Sequence, residues 1–163
     1  MADSGMEPAA LEADIRLPLL RPLTEADVSA IGALAEAAGL FPAALAADLA
    51  APALGGDDGE RWLVAEDRTA FAYARAEEMT ENTWNILAIA VAEESRGHGL
   101  GGALIGDMER ATGARVMIIE TTQRDEQAPA RALYHKAGYR RAGHIPHFFA
   151  PDEDKIIFTK VLT

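Results

Sequence analysis

Residues 96–102 read Arg96-Gly97-His98-Gly99-Leu100-Gly101-Gly102, between an apolar run, Trp84 to Val91, and a stretch of helical spacing from Leu100 to about Thr112. A glycine-rich turn in that position aims several free backbone N–H groups at one point at a helix N-terminus, which is a phosphate nest. Glycine lets the anion approach closely and admits positive φ angles. The plain alternative is a flexible turn before a helix, so the flanking sequence has to decide.

Upstream, Arg61 to Glu66 and Ala70 to Ala76 are β-like runs separated by Asp67-Arg68-Thr69, which predicts a hairpin. Trp84 to Val91 is apolar along most of its length and reads as a buried central strand. Downstream, Leu100, Ala103, Leu104 and Met108 fall on one helical face and Gly113 ends the helix. A strand from Arg115 to Thr121, a helix over 129–137 opened by Pro129 and closed by Gly138, and strands at Tyr139–Ala142 and Lys155–Leu162 complete that half.

Near the start, Ile15 to Arg21 alternates as a strand, and Thr24-Glu25-Ala26-Asp27 offers a helix N-cap. That helix runs to about Ala38 and stops at Gly39, Pro42 opens a second through Leu49, and 52–60 is a loop. Residues 1–13 lack any period and read as a flexible tail, leaving 14–163 as a single domain. The order is βα(α)βββαβαββ, an α/β (α+β) class.

At 163 residues, with 49% hydrophobic and 25% charged, the chain can bury one core unaided. The absence of cysteine excludes disulfides, zinc-thiolate sites and a covalent Cys intermediate. No apolar run reaches the roughly 20 residues of a membrane span, and the acidic first residues are unlike a signal peptide, so a cytoplasmic location is expected. A net charge of -11 repels nucleic acid and anionic membrane and favours a cationic substrate. Residues 131–141 nevertheless carry Arg131, Lys136, Arg140 and Arg141 and no acid, so a local anion site is compatible with that balance.

Gly97, Gly99 and Gly102 also satisfy the dinucleotide fingerprint, but five residues, Ala92 to Arg96, separate Val91 from the first glycine, where that fingerprint follows its strand directly. A kinase-type phosphate loop lacks its Lys-Ser or Lys-Thr, and no G-x-S-x-G occurs. His144 and His147 have the spacing H-x-x-H but no Cys or clear carboxylate partner, so no metal is expected.

Arg96, Gly99 and Gly101 match a signature of Arg or Gln, two residues, Gly, one residue, then Gly or Ala. About 30 residues later Ala130, Leu133-Tyr134, Lys136, Gly138 and Tyr139 match a second motif. In these two motifs, in this order, the chain resembles the GNAT acetyltransferases, over about residues 15–162. The resemblance implies a mixed, twisted sheet of about seven strands flanked by about four helices and splayed between its fourth and fifth strands. It further implies acetyl-CoA as co-substrate, its pantetheine arm lying in the split against the backbone of Ile89, Ala90 and Val91. Its pyrophosphate would meet residues Gly97, His98, Gly99, Leu100, Gly101 and Gly102, with charge from Arg96 and Lys136. Gln127 stands where the family often has Asn, seven residues before Tyr134.

The implied reaction is direct attack of an amine, from a small molecule or a protein, on the thioester. It needs an oxyanion stabiliser, an acid and a base. The resemblance gives the first role to amides near Val91 and the second to Tyr134, whose alternative is helix packing. Glu120 is the preferred base, with Glu77, Glu78 or a water chain also open. Trp84, His147 and Phe148 are candidates for the acceptor wall, Phe148 within an aromatic loop Ile145–Pro151, with core packing the plain alternative in each case. The acceptor's identity stays open, a homodimer is a family expectation, and a non-catalytic acyl-CoA-binding module is the competing function.

Overall fold

A computed structural model describes residues 16–162. Its strands form one sheet in the order β1-β2-β3-β4-β5-β7-β6. They are β1 (Leu20–Pro22), β2 (Glu60–Ala65), β3 (Ala70–Ala76), β4 (Thr83–Val91), β5 (Val116–Thr122), β6 (Arg140–Ala150) and β7 (Glu153–Val161). All neighbours are antiparallel except β4 and β5, which run parallel because α3 (Leu100–Thr112) crosses between them. The remaining helices are α1 (Val28–Ala37), α2 (Ala46–Leu54) and α4 (Ala128–Lys136). Among the described residues no helix is long and apolar enough to cross a membrane.

Each face of the sheet has its own core. Ala72, Trp84, Ile86, Met117, Ile119 and Phe158 meet Leu104, Ile105 and Met108 of α3 and Tyr134 of α4 on one face. On the other, Trp62, Phe71, Tyr73, Ala88 and Ala90 meet Ile31 and Ala35 of α1 and Ala50 of α2, with the Trp62 and Tyr73 rings stacked 4.1 Å apart. Strict alternation along β4 would put Ile86, Ala88 and Ala90 on one face. Instead Tyr73 pairs with Ala88 and Ala74 with Ile86, leaving Leu87 as a bulge that exchanges the two faces of the strand at that point.

Asp27, fully buried before α1, joins three segments. It accepts hydrogen bonds from Arg21 of β1 (2.7 and 2.9 Å), from Arg68 of the β2–β3 turn (2.8 Å) and from the backbone and hydroxyl of Thr24 (2.8 and 2.9 Å). These donors, Arg21 foremost, hold its carboxyl well below the usual carboxylate range.

The expected elements are present, with differences at their ends. The start of the first expected strand, Ile15, and the tail 1–13 lie outside the described residues, and residues 16–19, also expected as strand, stand ahead of it, so that β1 is only Leu20–Pro22. α2 runs past the expected end at Leu49 to Leu54, through Pro52. The proline removes one helical bond near the exposed Asp48, while Ala50 and Ala53 still pack on the core. The predicted strand Tyr139–Ala142 is the beginning of an eleven-residue β6, and Ile145–Ala150, expected as loop, is its far half. Pairing there is irregular, Ile145 opposing Lys155 and Ala150 opposing Glu153, so residues 146–149 bulge out around Asp154. Pro146 cannot donate to the ladder, and His147 sits at φ +56°.

Candidate functional site

β4 and β5 pair from Thr83/Val116 to Ile86/Ile119 and then part. Beyond that rung, residues 88–91 remain paired to β3 alone. The Ala92 N–H donates to the Thr69 carbonyl at 2.7 Å. Since the N–H and C=O of one residue point to the same side of an antiparallel strand, alternation turns Ala90 toward β3 and Ile89 and Val91 toward the split. Of the three residues expected to offer their backbone, Ala90 is therefore already engaged.

At the head of the split a short 3₁₀ turn, Glu93–Ser95, leads into the glycine loop and α3. Gly97 and Gly99 have φ of +83° and +87°, and a Cβ on either would meet nothing within 4 Å, so these two shape an open, left-handed turn. Gly101 serves another purpose. A Cβ on Gly101 would lie 2.9 Å from Leu133 Cδ2, so Gly101 allows α4 to pack closely on the first turn of α3, while a Cβ on Gly102 would only touch Leu133 at 4.0 Å. Arg96 is exposed, and its Nε donates to the Val91 carbonyl at 3.1 Å, folding the loop back over the strand end.

Between α3 and α4, next to this loop, lies an open cavity of about 300 Å³ lined by Gly99, Gly102, Ile105, Leu133, Lys136 and Lys160. Lys160 is tied to Glu109 (3.1 and 3.2 Å) and to the Ala137 carbonyl, whereas Lys136 is exposed. His98 is exposed beside the turn, and Gln127 is half-buried just before α4.

Tyr134 of α4 is buried on the α3 face, its ring edge-on to Phe158 at 5.6 Å. Its hydroxyl bonds no other side chain or backbone group among the described residues, and burial pushes its pKa up to about 12.

On the opposite face, where the strands part, four polar side chains meet. Asn85 of β4 is buried and donates through Nδ2 to Glu77 Oε1 (3.1 Å) and Glu120 Oε1 (3.2 Å). Lys155 of β7 holds the other oxygen of Glu120 at 2.7 Å and lies 4.0 Å above the Phe148 ring. The Asn85 Oδ1 is buried without a donor. Glu120 and Glu77, both considered as bases, thus share one amide.

The other candidates divide. Phe148 belongs to this group, half-exposed in the β6 bulge and edge-on to Phe149. His147 lies in the same bulge, its backbone N–H donating to Asp154 and its Nδ1 accepting from the Asp152 N–H. His144 pairs with Asp154 at 2.6 Å. Trp84 is not a wall of this site. It is buried on the α3 face in the closed part of the sheet, its Nε1 donating to Asn82 at 3.0 Å.

Asn85 and Lys155 were not singled out from sequence. Asn85 left a signal, a lone amide in the apolar run Trp84–Val91, whereas Lys155 left none because only the fold brings β7 beside Glu120.

A family model described as an acetyltransferase (GNAT) domain matches residues 58–141. Several solved structures share the fold. A protein of Desulfovibrio desulfuricans assigned as a GNAT-family acetyltransferase superposes with TM-score 0.80 at 27% identity, over 89% of this chain and 99% of that one. The ribosomal-protein-alanine N-acetyltransferase of Brucella melitensis gives TM-score 0.72 at 22% identity, over 88% and 99%. A Salmonella typhimurium protein assigned as an acetyltransferase, solved with its cofactor acetyl-CoA, gives 0.69 at 22%, over 89% and 94%. No curated protein sequence matches the chain.

Proposed function

The chain belongs to the GNAT acetyltransferase family, and on that premise we propose that it moves an acetyl group from acetyl-CoA to a cationic primary amine, with Glu120 as base and Tyr134 as acid. The observation that carries this reading is the parting of β4 from β5 beyond Ile86 and Ile119, with the glycine loop at its head and Glu120 at its foot.

The residues present suit acetyl-CoA. The open cradle at Gly97 and Gly99 fits a pyrophosphate, the edge at Ile89 and the Val91 N–H fits an amide-bearing arm, and Arg96 and Lys136 supply positive charge. When bound, acetyl-CoA supplies an activated acyl carbon and a thiolate leaving group. We assign the Val91 amide to the developing oxyanion, as an N–H turned toward the split.

Glu120 takes a proton from the incoming ammonium. The amine nitrogen bonds to the acyl carbon as the carbon–sulfur bond breaks, Tyr134 gives its proton to sulfur, and the second proton shed by the nitrogen restores the Tyr134 phenol. A phenol held near 12 stays a donor throughout the neutral range, but it passes its proton uphill to a thiolate of about 8.5. The transfer therefore depends on position and on coupling to bond cleavage. The net charge of -11 draws a cationic acceptor and disfavours nucleic acid. We take residues 14–163 as one acetyltransferase domain working in the cytoplasm.

Calorimetric titration with acetyl-CoA, with NADH as control and an Arg96→Ala/Gly99→Asp variant beside the wild type, tests the cofactor. Micromolar binding lost in the variant is expected. Thiol release with a panel of amines then tests transfer, and binding without release would reduce the protein to an acyl-CoA-binding module.

A further inference from the structure

Both oxygens of Glu120 are occupied. Asn85 holds Oε1 and Lys155 holds Oε2, the latter at 2.7 Å. Each oxygen keeps a free lone pair, but Lys155 fills the approach to Oε2 between Glu120 and the Phe148 ring, so an ammonium can sit there only when Lys155 moves aside. Asn85 is buried and also bonded to Glu77, so it is fixed. Lys155 is the long, flexible partner, and its ammonium lies between a carboxylate and the face of the half-exposed Phe148. A carboxylate below and an aromatic face above make a complete seat for a primary ammonium. With Lys155 in place the group holds two carboxylates, Glu77 and Glu120, and one ammonium, so one negative charge remains for a second cation.

We propose that Lys155 is a resident stand-in for the acceptor: the seat of Glu120 and Phe148 receives the acceptor's own ammonium, on an unbranched aliphatic stem, once Lys155 swings out. The proposal rests on the acetyltransferase reading and on Glu120 as its base. It selects amines that are protonated in solution, because a neutral group cannot displace Lys155 from Glu120. The chemical balance is unchanged. An ammonium and acetyl-CoA yield the amide, free thiol and one proton, which Glu120 passes to water, and Lys155 is not consumed.

Chemical rescue tests the seat without requiring turnover. Lys155→Ala in the full chain leaves a space that n-propylammonium fills. At about ten times its Kd this ion is expected to raise the melting temperature of the variant by about 3 °C. It should leave the wild type unmoved, n-propanol should have no effect, and the Lys155→Ala/Glu120→Gln variant should not respond. A folded alanine variant indifferent to n-propylammonium overturns the proposal. Should that variant not fold, Lys155→Met decides by calorimetry with 1,5-diaminopentane. Removing the resident competitor should lower the Kd about threefold or more, and an unchanged or higher Kd, or no binding, overturns the seat. Thiol release in Glu120→Gln reports separately on the base, so that reading can fail while rescue still establishes the seat.

Discussion

Asn85 reaches from β4 across the last paired rung to β5 and donates to Glu120 Oε1 at 3.2 Å, fixing that carboxylate where the two strands begin to part. If Glu120 is the base, Glu120→Gln keeps the shape and removes the proton acceptor. We expect kcat to fall by about 10²- to 10³-fold with acetyl-CoA affinity within a few fold, measured by thiol release and calorimetry. Asn85→Ala should cost less, about tenfold in kcat, because it loosens the base without deleting it. Full turnover in Glu120→Gln would remove the role.

Tyr134→Phe leaves the ring against Phe158 and deletes the proton. Turnover should drop on the order of tenfold or more with acetyl-CoA affinity within a few fold. An acid must be protonated to act, so its contribution is lost as pH rises through its pKa. Since burial pushes Tyr134 up to about 12, wild-type kcat should show no alkaline decline from this group up to about pH 10. A descending limb near pH 8 that disappears in Tyr134→Phe would contradict the assignment.

The glycines of the loop should separate into two kinds. Gly99→Asp places a charged side chain on a left-handed residue in the open cradle and should abolish acetyl-CoA binding with little loss of helix packing. Gly101→Ala meets Leu133 instead and should destabilise the fold by about 1–2 kcal/mol in urea denaturation. Leu133→Ala in the same chain should recover part of that loss, a coupling that Gly99 variants should not show.

Asp27→Asn tests the joint between β1, α1 and the β2–β3 turn. Arg21 and Arg68 are partly exposed (31% and 43%), so water recovers some of their charge, and the cost should be about 2–3 kcal/mol, below that of a wholly buried pair. The pH dependence has a fixed sign. A carboxyl whose pKa is depressed on folding stabilises at pH above its unfolded value of about 3.9 and loses that contribution as pH falls through its folded value. Wild type should therefore lose stability relative to Asp27→Asn on acidification below about pH 4, and equal slopes for the two proteins would contradict the account.

Where local pattern and packing agree, the sequence reading matched the structure. The helix Leu100–Thr112, its stop at Gly113 and the strand Ala70–Ala76 are as expected. It failed where distant partners decide. Residues 52–60 read as loop, yet α2 continues through Pro52 to Leu54 because the core holds its far end. The aromatic segment after Ile145 read as loop, yet β7 pairs with it and Asp154 occupies the bulge. Trp84 lies on the central strand, and which face it takes follows from alternation counted outward from a bulge that composition does not mark. Glu120 was legible as a strand-end acid, but its company of Asn85 and Lys155 exists only because β4, β5 and β7 are neighbours in space.

Leu87 carries no chemistry, but it sets the phase of the central strand. Ahead of it Asn85 looks toward the Glu120 side, and behind it Ile89 and Val91 direct their side chains toward α3. Were Leu87 instead drawn into the ladder, every proposed functional side chain would remain in the chain, yet simple alternation would turn Ile89 and Val91 onto the Glu120 face and rotate one half of β4 against the other. The acid side and the base side of the split would then no longer face the same gap. Reading frame, in this strand, is a property of the protein as well as of its gene.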